Sequence, residues 1–595
     1  MTYQPPVREH RFLLHDVLEI EKHANLPGFA DATMDVVDQI LEEAARFTGE
    51  VLAPLNSVGD KQGCTWSADH SVTTPTGFKE AYAQLVEAGW PALGADPAFG
   101  GQGLPYVVNL AFSEMSSSAN MAFSMYPGLT HGAYSAIHEG GSDEQKALYL
   151  PKLASGEWGG TMNLTEPHAG TDLGLIRTKA APQGDGTYRI SGQKIWISGG
   201  EHDMAENIVH LVLARIEGAP AGTRGISLFI VPKFLPRADG TPGERNSVFC
   251  DGLEEKMGIH GNATCVMRHE ESIGWLVGEE NRGLSIMFVM MNEARLGVGM
   301  QGLAQGEAAY QAAATFARER LQMRSLSGPK NPDGPADPII VHPDIRRMLM
   351  DSRATLEGGR AFLFWTALHG DLAHLHPDEA VRQKASDYMA LMTPVLKGYL
   401  TDKGFKVCSD ALQVHGGSGF TEHFPASQYM RDCRISLIYE GTNGIQALDL
   451  VGRKLAANGG RAVMTFFNEI DGFLEAEQAN AELKPFVDGL AAVKAELQDG
   501  TTWLMQNGLM NPENAGAAST DFMHLFGLTG LAYMWALMAK AAQGKIAAGD
   551  ADPFYANKLT VGRYFLNRVL PEGGAHLAKM KAGSEAMMAL PAEAF

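Results

Sequence analysis

Along the first quarter of the chain, apolar residues recur at helical spacing. Tyr82, Leu85 and Val86 fall on one helical face, as do Val107, Leu110, Ala111 and Met115. Between these runs lies a turn-rich stretch with Asp96, Pro97, Gly100, Gly101, Gly103 and Pro105. The period then shortens. Tyr188–Gly192 leads into Lys194–Ser198, and Ile208–Ile216 and Ile226–Val231 are short β-prone runs, which predicts a small β domain between about Gly156 and Trp275. Helical spacing returns after Gly283, with Leu284, Met287, Phe288 and Met291 on one face, and continues to about Leu455. The break at Gly328–Pro335 reads as a surface loop, and Asp344 as the N-cap of the helix that follows it. A last helical block starts at about Met464, its helices separated by Gly508–Thr520. No period typical of solenoids is present. Segregated blocks predict an α+β fold: an N-terminal helical domain (1–155), a middle β domain (156–275), a helical bundle (276–460) and an additional C-terminal helical domain (461–595).

A chain of 595 residues with 45% hydrophobic and 20% charged content fits a globular protein with several cores. The net charge of −21 argues against nucleic acid as the main partner, because phosphate binding needs clustered Lys and Arg. It leaves room for an anionic substrate, since a local Arg can outweigh a distant negative surface. Cys64, Cys250, Cys265, Cys408 and Cys433 show no Cys-x-x-Cys spacing, which points away from a disulfide framework and toward a cytoplasmic protein. Met1–His10 lacks the charged-then-apolar pattern of a secretory signal. Phe522–Ala539 carries no formal charge apart from His524, yet its Gly527, Thr529 and Gly530 suit a buried bundle helix better than a membrane span. His369, His374 and His376 lack the i, i+4 spacing of a helical zinc site and precede Pro377, so a polar turn and no metal are expected.

The chemistry concentrates in three segments. Gln413-Val414-His415-Gly416-Gly417-Ser418-Gly419-Phe420 has the look of a phosphate-cradling stretch, and Tyr439-Glu440-Gly441-Thr442 follows it with one carboxylate on a glycine turn. A glutamate can deprotonate carbon only where desolvation raises its pKa and an oxyanion hole steadies the enolate. By itself a Glu before Gly-Thr is most often a turn carboxylate. Upstream, Leu164-Thr165-Glu166-Pro167-His168-Ala169-Gly170-Thr171-Asp172 and Trp196-Ile197-Ser198 complete the set.

Together these segments closely resemble the acyl-CoA dehydrogenase family, over about residues 30 to 455. The resemblance implies FAD between the β domain and the following bundle. Leu164, through its N–H, and Thr165, through its hydroxyl, would meet the pyrimidine side of the flavin, with Trp196 flanking the ring and Ser198 near N5. It places Arg320 on the FAD pyrophosphate of a neighbouring subunit, Gln413, Gly416 and Gly417 along the ADP part, and Thr442 with the cofactor as well. Thr171, Arg295, Tyr439 and Gly441 are implied on the acyl-CoA side. Glu440 would be the base that takes the α-proton while the β-hydrogen leaves as hydride to the flavin. Some relatives carry their acid at the position held here by Ala294, so Glu440 has no rival among the matched positions. Glu166 and Asp172 read as residues that shape their loop. His423, Gln428, Gly444, Met323 and Arg324 depart from the family pattern around the ADP segment.

Residues 461–595 look like the appended domain of larger relatives, which implies a homodimer in place of a tetramer. Within the family the whole chain is most similar to the bacterial branch that dehydrogenates 3-(methylthio)propionyl-CoA in dimethylsulfoniopropionate breakdown, by overall likeness and not through any residue tied to a thioether. Three activities follow: a dehydrogenase of that or another acyl-CoA passing electrons to an electron-transfer flavoprotein, an acyl-CoA oxidase, or a nucleic-acid-binding flavoprotein, the last opposed by the charge.

Overall fold

The computed structural model describes residues 3–595. Its N-terminal unit contains α1 (Met34–Phe47), α2 (Ala53–Gln62), α3 (Phe78–Glu87), α4 (Tyr106–Ala119), α5 (Met121–Gly140) and α6 (Asp143–Ser155). Local chemistry sets the breaks. Asn120 ends α4 in an extended conformation, and its side chain accepts the Phe123 N–H at 3.1 Å to start α5. Ser142 and Gln145 form a reciprocal capping box for α6, and Gly156 at φ +80° closes that helix. A two-residue-per-strand hairpin, Thr65–Trp66 with Val72–Thr73, interrupts a region that the sequence pattern predicts as helical. It pairs over too short a span to leave a period-two signature.

The main sheet of the β unit comprises β1 (Trp158–Asn163), β2 (Lys179–Pro182), β3 (Thr187–Ser198), β4 (Asn207–Ile216), β5 (Ser227–Pro232), β6 (Val248–Leu253) and β7 (Thr264–Val277), with a separate short hairpin of Phe234–Pro236 and Pro242–Arg245 between β5 and β6 in sequence. Hydrogen bonding runs β7–β3–β2–β4, and β5 pairs with both β4 and β7, so these strands close into a ring. β1 and β6 extend it, on β4 and β7 respectively. Closure removes free edges from the ring strands and holds the C-terminal end of β3, with Trp196 and Ser198, in a fixed place.

The bundle follows: α7 (Gly283–Glu319), α8 (Pro343–Leu375), α9 (Glu379–His415), α10 (Ala426–Arg434) and α11 (Asn443–Asp449). Asp344 lies within the first turn of α8 and His342 takes the cap position, because Pro343 starts the helix. Arg324, a departure from the family pattern, organises the preceding loop by donating to the Asn331 and Gly334 carbonyls at 2.7 and 2.6 Å. His369 is an α8 residue bonded to the Trp365 carbonyl, and His376 caps the end of that helix.

The last unit holds α12 (Arg461–Glu477), α13 (Lys484–Trp503), α14 (Pro512–Ala547), α15 (Pro553–Tyr564) and α16 (Glu572–Lys581). Helix α14 begins at Pro512, inside the predicted Gly508–Thr520 break, with Asn511 capping it through the Glu513 N–H. It is long and apolar enough to cross a membrane, but 89% of its most apolar window is buried in the protein. Glycines allow that burial. A Cβ at Gly527 would sit 2.4 Å from the Tyr399 ring, and one at Gly398 2.2 Å from Met523 Sδ, so α14 and α9 meet backbone to side chain.

Ion pairs cross these packed layers. Arg360 of α8 is 1% exposed and donates through Nε to Glu114 of α4 and through Nη2 to Glu307 of α7, each at 2.8 Å. His10 completes Glu114 at 3.0 Å. Burial pushes the Glu114 carboxyl up, but Arg360 and His10 outweigh it and hold the pKa at about 2. Close by, Lys558 of α15 meets Glu357 at 2.7 Å and also pairs with Glu9. Arg360→Leu will leave Glu114 and Glu307 buried without their shared cation. Chemical denaturation should show a loss of about 3–5 kcal/mol.

Candidate active site

Glu440 stands on a strained turn. Its φ is +58° and that of Gly441 is +86°, two consecutive left-handed residues of which only the second is glycine. The start of α11 holds the turn in place. Gln446, fully buried, donates to the carbonyls of Glu440 and Gly441, both at 3.2 Å, and the Thr442 side chain accepts the Ile445 N–H at 3.3 Å. Tyr439 donates to Gln301 of α7.

Glu440 and Tyr439 line a cavity of about 200 Å³ bounded by α4, α5 and α7. Ser198 from the end of β3 and Met162 from β1 enter the same wall, as do Ala294 and Gly297. The other lining is mostly apolar and includes Trp90 and Phe112, whose rings stack 4.3 Å apart. Ala294 puts no carboxylate where it faces the cavity, but Glu293 one residue earlier lines it too, beside His131 at 3.9 Å. Burial, the largest influence, raises the Glu440 pKa, and Arg295 and Lys397 draw it back down. A raised affinity for the proton is the property that a carboxyl needs to serve as a general base.

The segments around Leu164 and Trp196 are stitched to each other. The Ile195 N–H donates to the Thr165 carbonyl at 3.0 Å, and Lys194 Nζ donates to the Leu164 carbonyl at 3.0 Å. Lys194 is fully buried and its ammonium lies 2.9 Å from Glu166. Glu166 also accepts the Arg177 N–H at 2.7 Å and the Thr178 N–H and hydroxyl at 3.0 and 2.6 Å. Burial raises the Glu166 pKa, but Lys194 and these hydrogen bonds prevail and leave it below the usual carboxylate range. Asp172 caps the next turn through the Gly174 N–H at 3.0 Å, and Thr171 beside it is exposed. The result is a rigid rim. On it Trp196, at φ +61°, is 60% exposed, an uncovered aromatic beside the Ser198 end of the cavity.

Arg320, Gln413, Gly416 and Gly417 form a second group. The Arg320 guanidinium lies 4.7 Å from the Phe316 ring centroid, and Phe316 in turn packs 4.5 Å from His415, next to the exposed Gly416 and Gly417. Gln413 sits in the last turn of α9 and is exposed. Among the described residues no hydrogen bond or cavity wall joins this group to the Glu440 group within one chain. Arg295 is buried, 3.6 Å from Asp449, and lies outside the cavity wall. Among the departures, Gln428 is a buried strut that donates to Asn56 Oδ1 at 3.0 Å.

Lys194, Lys397, Asn443 and Gln446 escape a reading of motifs. The signal for the lysines was available: Lys194 heads the apolar run Ile195-Trp196-Ile197 and Lys397 follows Val395-Leu396 before Tyr399-Leu400, where a charge demands a partner.

The rim suits a flavin, with one uncovered aromatic face and hydroxyl and backbone groups at its edge. Comparison with known proteins agrees. Descriptions of the acyl-CoA dehydrogenase N-terminal, middle and C-terminal domains match residues 36–157, 161–272 and 281–455, and "Acetyl-CoA dehydrogenase C-terminal like" matches 466–591. The chain belongs to the acyl-CoA dehydrogenase family, whose members are FAD-binding oxidoreductases. It is 42% identical, over 99% of both chains, to a 3-methylmercaptopropionyl-CoA dehydrogenase of Ruegeria pomeroyi. It is 36% identical, over 96% of each, to the broad-specificity linear acyl-CoA dehydrogenase FadE5 of Mycobacterium tuberculosis. In fold it matches an acyl-CoA dehydrogenase complexed with FAD from Bacillus anthracis, with a TM-score of 0.74 at 22% identity over 92% of this chain and 88% of that one.

The depressed Glu166 pKa fixes the sign of one pH effect. Its contribution to stability is full above the ordinary carboxylate pKa and is lost as pH falls through the lowered value. Glu166→Gln should therefore cost about 1–3 kcal/mol near neutrality, and the deficit should shrink in acid-unfolding curves of the two proteins.

Proposed function

We propose that the protein catalyses FAD-dependent α,β-dehydrogenation of 3-methylmercaptopropionyl-CoA, or of an acyl group of similar size, with Glu440 as the base. The observation that carries this reading is Glu440 on a strained turn facing the same cavity as Ser198, with burial raising its proton affinity. Met125, Met162, Met290 and Met300 line that cavity and give it a soft, polarizable wall, in keeping with a thioether.

FAD, when bound, supplies the hydride acceptor. Trp196 would cover one face of its ring, while Leu164 N–H, the Thr165 hydroxyl and Ser198 would meet its polar edge. The Glu440 carboxylate takes the proton from the carbon α to the thioester, and the Glu440 backbone N–H is offered to the thioester oxygen. Tyr439 and Gly441 shape the turn against the acyl group, Thr442 anchors it to α11, and Thr171 on the exposed rim faces the CoA entrance. Arg295 contributes positive charge behind the carboxylate.

Arg320, Gln413, Gly416 and Gly417 form a distinct exposed patch in which the two glycines have open space around them. In a homodimer this patch would hold the ADP part of the partner's FAD. Electrons would then leave to an electron-transfer flavoprotein. Five unpaired cysteines support a cytoplasmic location.

Glu440→Gln should keep the yellow FAD spectrum and lose dehydrogenation by at least about 10²-fold in an anaerobic flavin-bleaching assay. Substantial turnover by that variant would remove Glu440 from the mechanism. Light scattering of the purified protein should give the mass of a dimer, and a stable tetramer would overturn the assembly.

A further inference from the structure

Lys397 of α9 is completely buried and forms no ion pair among the described residues. Its ammonium donates to Asn443 Oδ1 at 2.9 Å. Asn443 is the first residue of α11, three positions after Glu440. Its amide nitrogen returns to α9, donating to the Gly398 carbonyl, Thr401 Oγ1 and Asp402 Oδ1 at 3.2, 2.9 and 2.7 Å. The catalytic turn is thereby fastened to α9 through a single amide side chain. The far end of this chain lies in the appended domain: His524 of α14 bonds to Asp402 Oδ2 at 3.0 Å. Helix α14 also shuts out water, with Met523 pressed on Gly398 and Gly527 on the Tyr399 ring.

A buried ammonium with one neutral hydrogen-bond partner is costly unless a nearby negative charge repays its desolvation. Few acids are available. Asp402, on the same helix, is shared with Asn443 and His524, and Asp449 of α11 is engaged by Arg295 of α7 and Arg453. Glu440 is the remaining carboxylate, and it has no ion-pair partner within 4.0 Å among the described residues.

We propose that Lys397 is a positioning residue for the reaction, holding the Glu440 turn through Asn443 and setting the charge behind the base, with α14 of the appended domain keeping the site dry. The mutual influence of the two groups agrees: burial lowers the Lys397 pKa to about 8, with Glu440 the foremost group opposing that fall, and Glu440 is drawn down by Arg295 of α7 first and by Lys397 next. This inference rests on the dehydrogenase reading and deepens it.

The test is the pH profile of kcat/KM for the FAD-loaded enzyme, with 3-methylmercaptopropionyl-CoA as substrate, in Lys397→Met, Lys397→Gln and Lys397→Arg. Loss of a neighbouring cation disfavours the carboxylate, so the acid limb in the Met and Gln variants should move up by about one pH unit. Turnover at low pH should then fall about tenfold more than on the alkaline plateau. Lys397→Arg keeps the charge and should return the limb toward its native position. FAD content and the visible spectrum report whether each variant is folded, and the Gln variant serves if the Met variant is not. An acid limb that stays in place in a folded, FAD-containing neutral variant overturns the proposal, including where the plateau drops at all pH values. A wild-type protein with no acyl-CoA turnover would fail the dehydrogenase reading itself, which separates the two.

Discussion

A guanidinium buried where three helices cross governs how this molecule is assembled. Arg360 must satisfy Glu114 and Glu307 at once, and neither acid has access to enough water to be stable without it. This fixes α4, α7 and α8 relative to one another at a point of low dielectric, where misplacement is expensive. Helices α4 and α7 are also two walls of the cavity. The shape of the cavity is therefore set by an electrostatic contact whose carboxylates lie outside its lining.

Two smaller constraints carry that rigidity to the reacting groups. On the β side, Lys194 reaches under the rim to Glu166 and Leu164, so the surface bearing Trp196 is tied to a closed ring of strands. On the helical side, Gln446 and Asn443 hold the carbonyls and the first residue of α11 behind Glu440. In both cases a buried polar side chain grips backbone, which leaves the functional side chain at the surface of a stiff support.

The block order and the Glu440 turn are legible in the sequence because each has a local cause. Period separates helix from strand, and Glu440-Gly441 announces a turn, while the Thr442 cap that starts α11 emerges only in the structure. Asp344 is misread as a cap because a Pro one residue earlier already starts the helix. Gly508–Thr520 looks like a long separator, yet the helix-starting power of Asn511-Pro512 shortens it. Lys397 and Lys194 are invisible to motif spacing for another reason. Their partners, Asn443 and Glu166, lie 46 and 28 residues away, and only tertiary packing brings them together.

The seating of α14 has a consequence for biosynthesis. Residues 283–455 leave the ribosome well before Pro512–Ala547, yet Tyr399, Phe362 and Gly398 each pack against that late helix. At about 5–20 residues per second, the bundle waits on the order of ten seconds with this apolar face open. During that interval the nascent chain presents a sticky, nearly complete enzyme, and holding it apart from its neighbours is a task for the cell's chaperones.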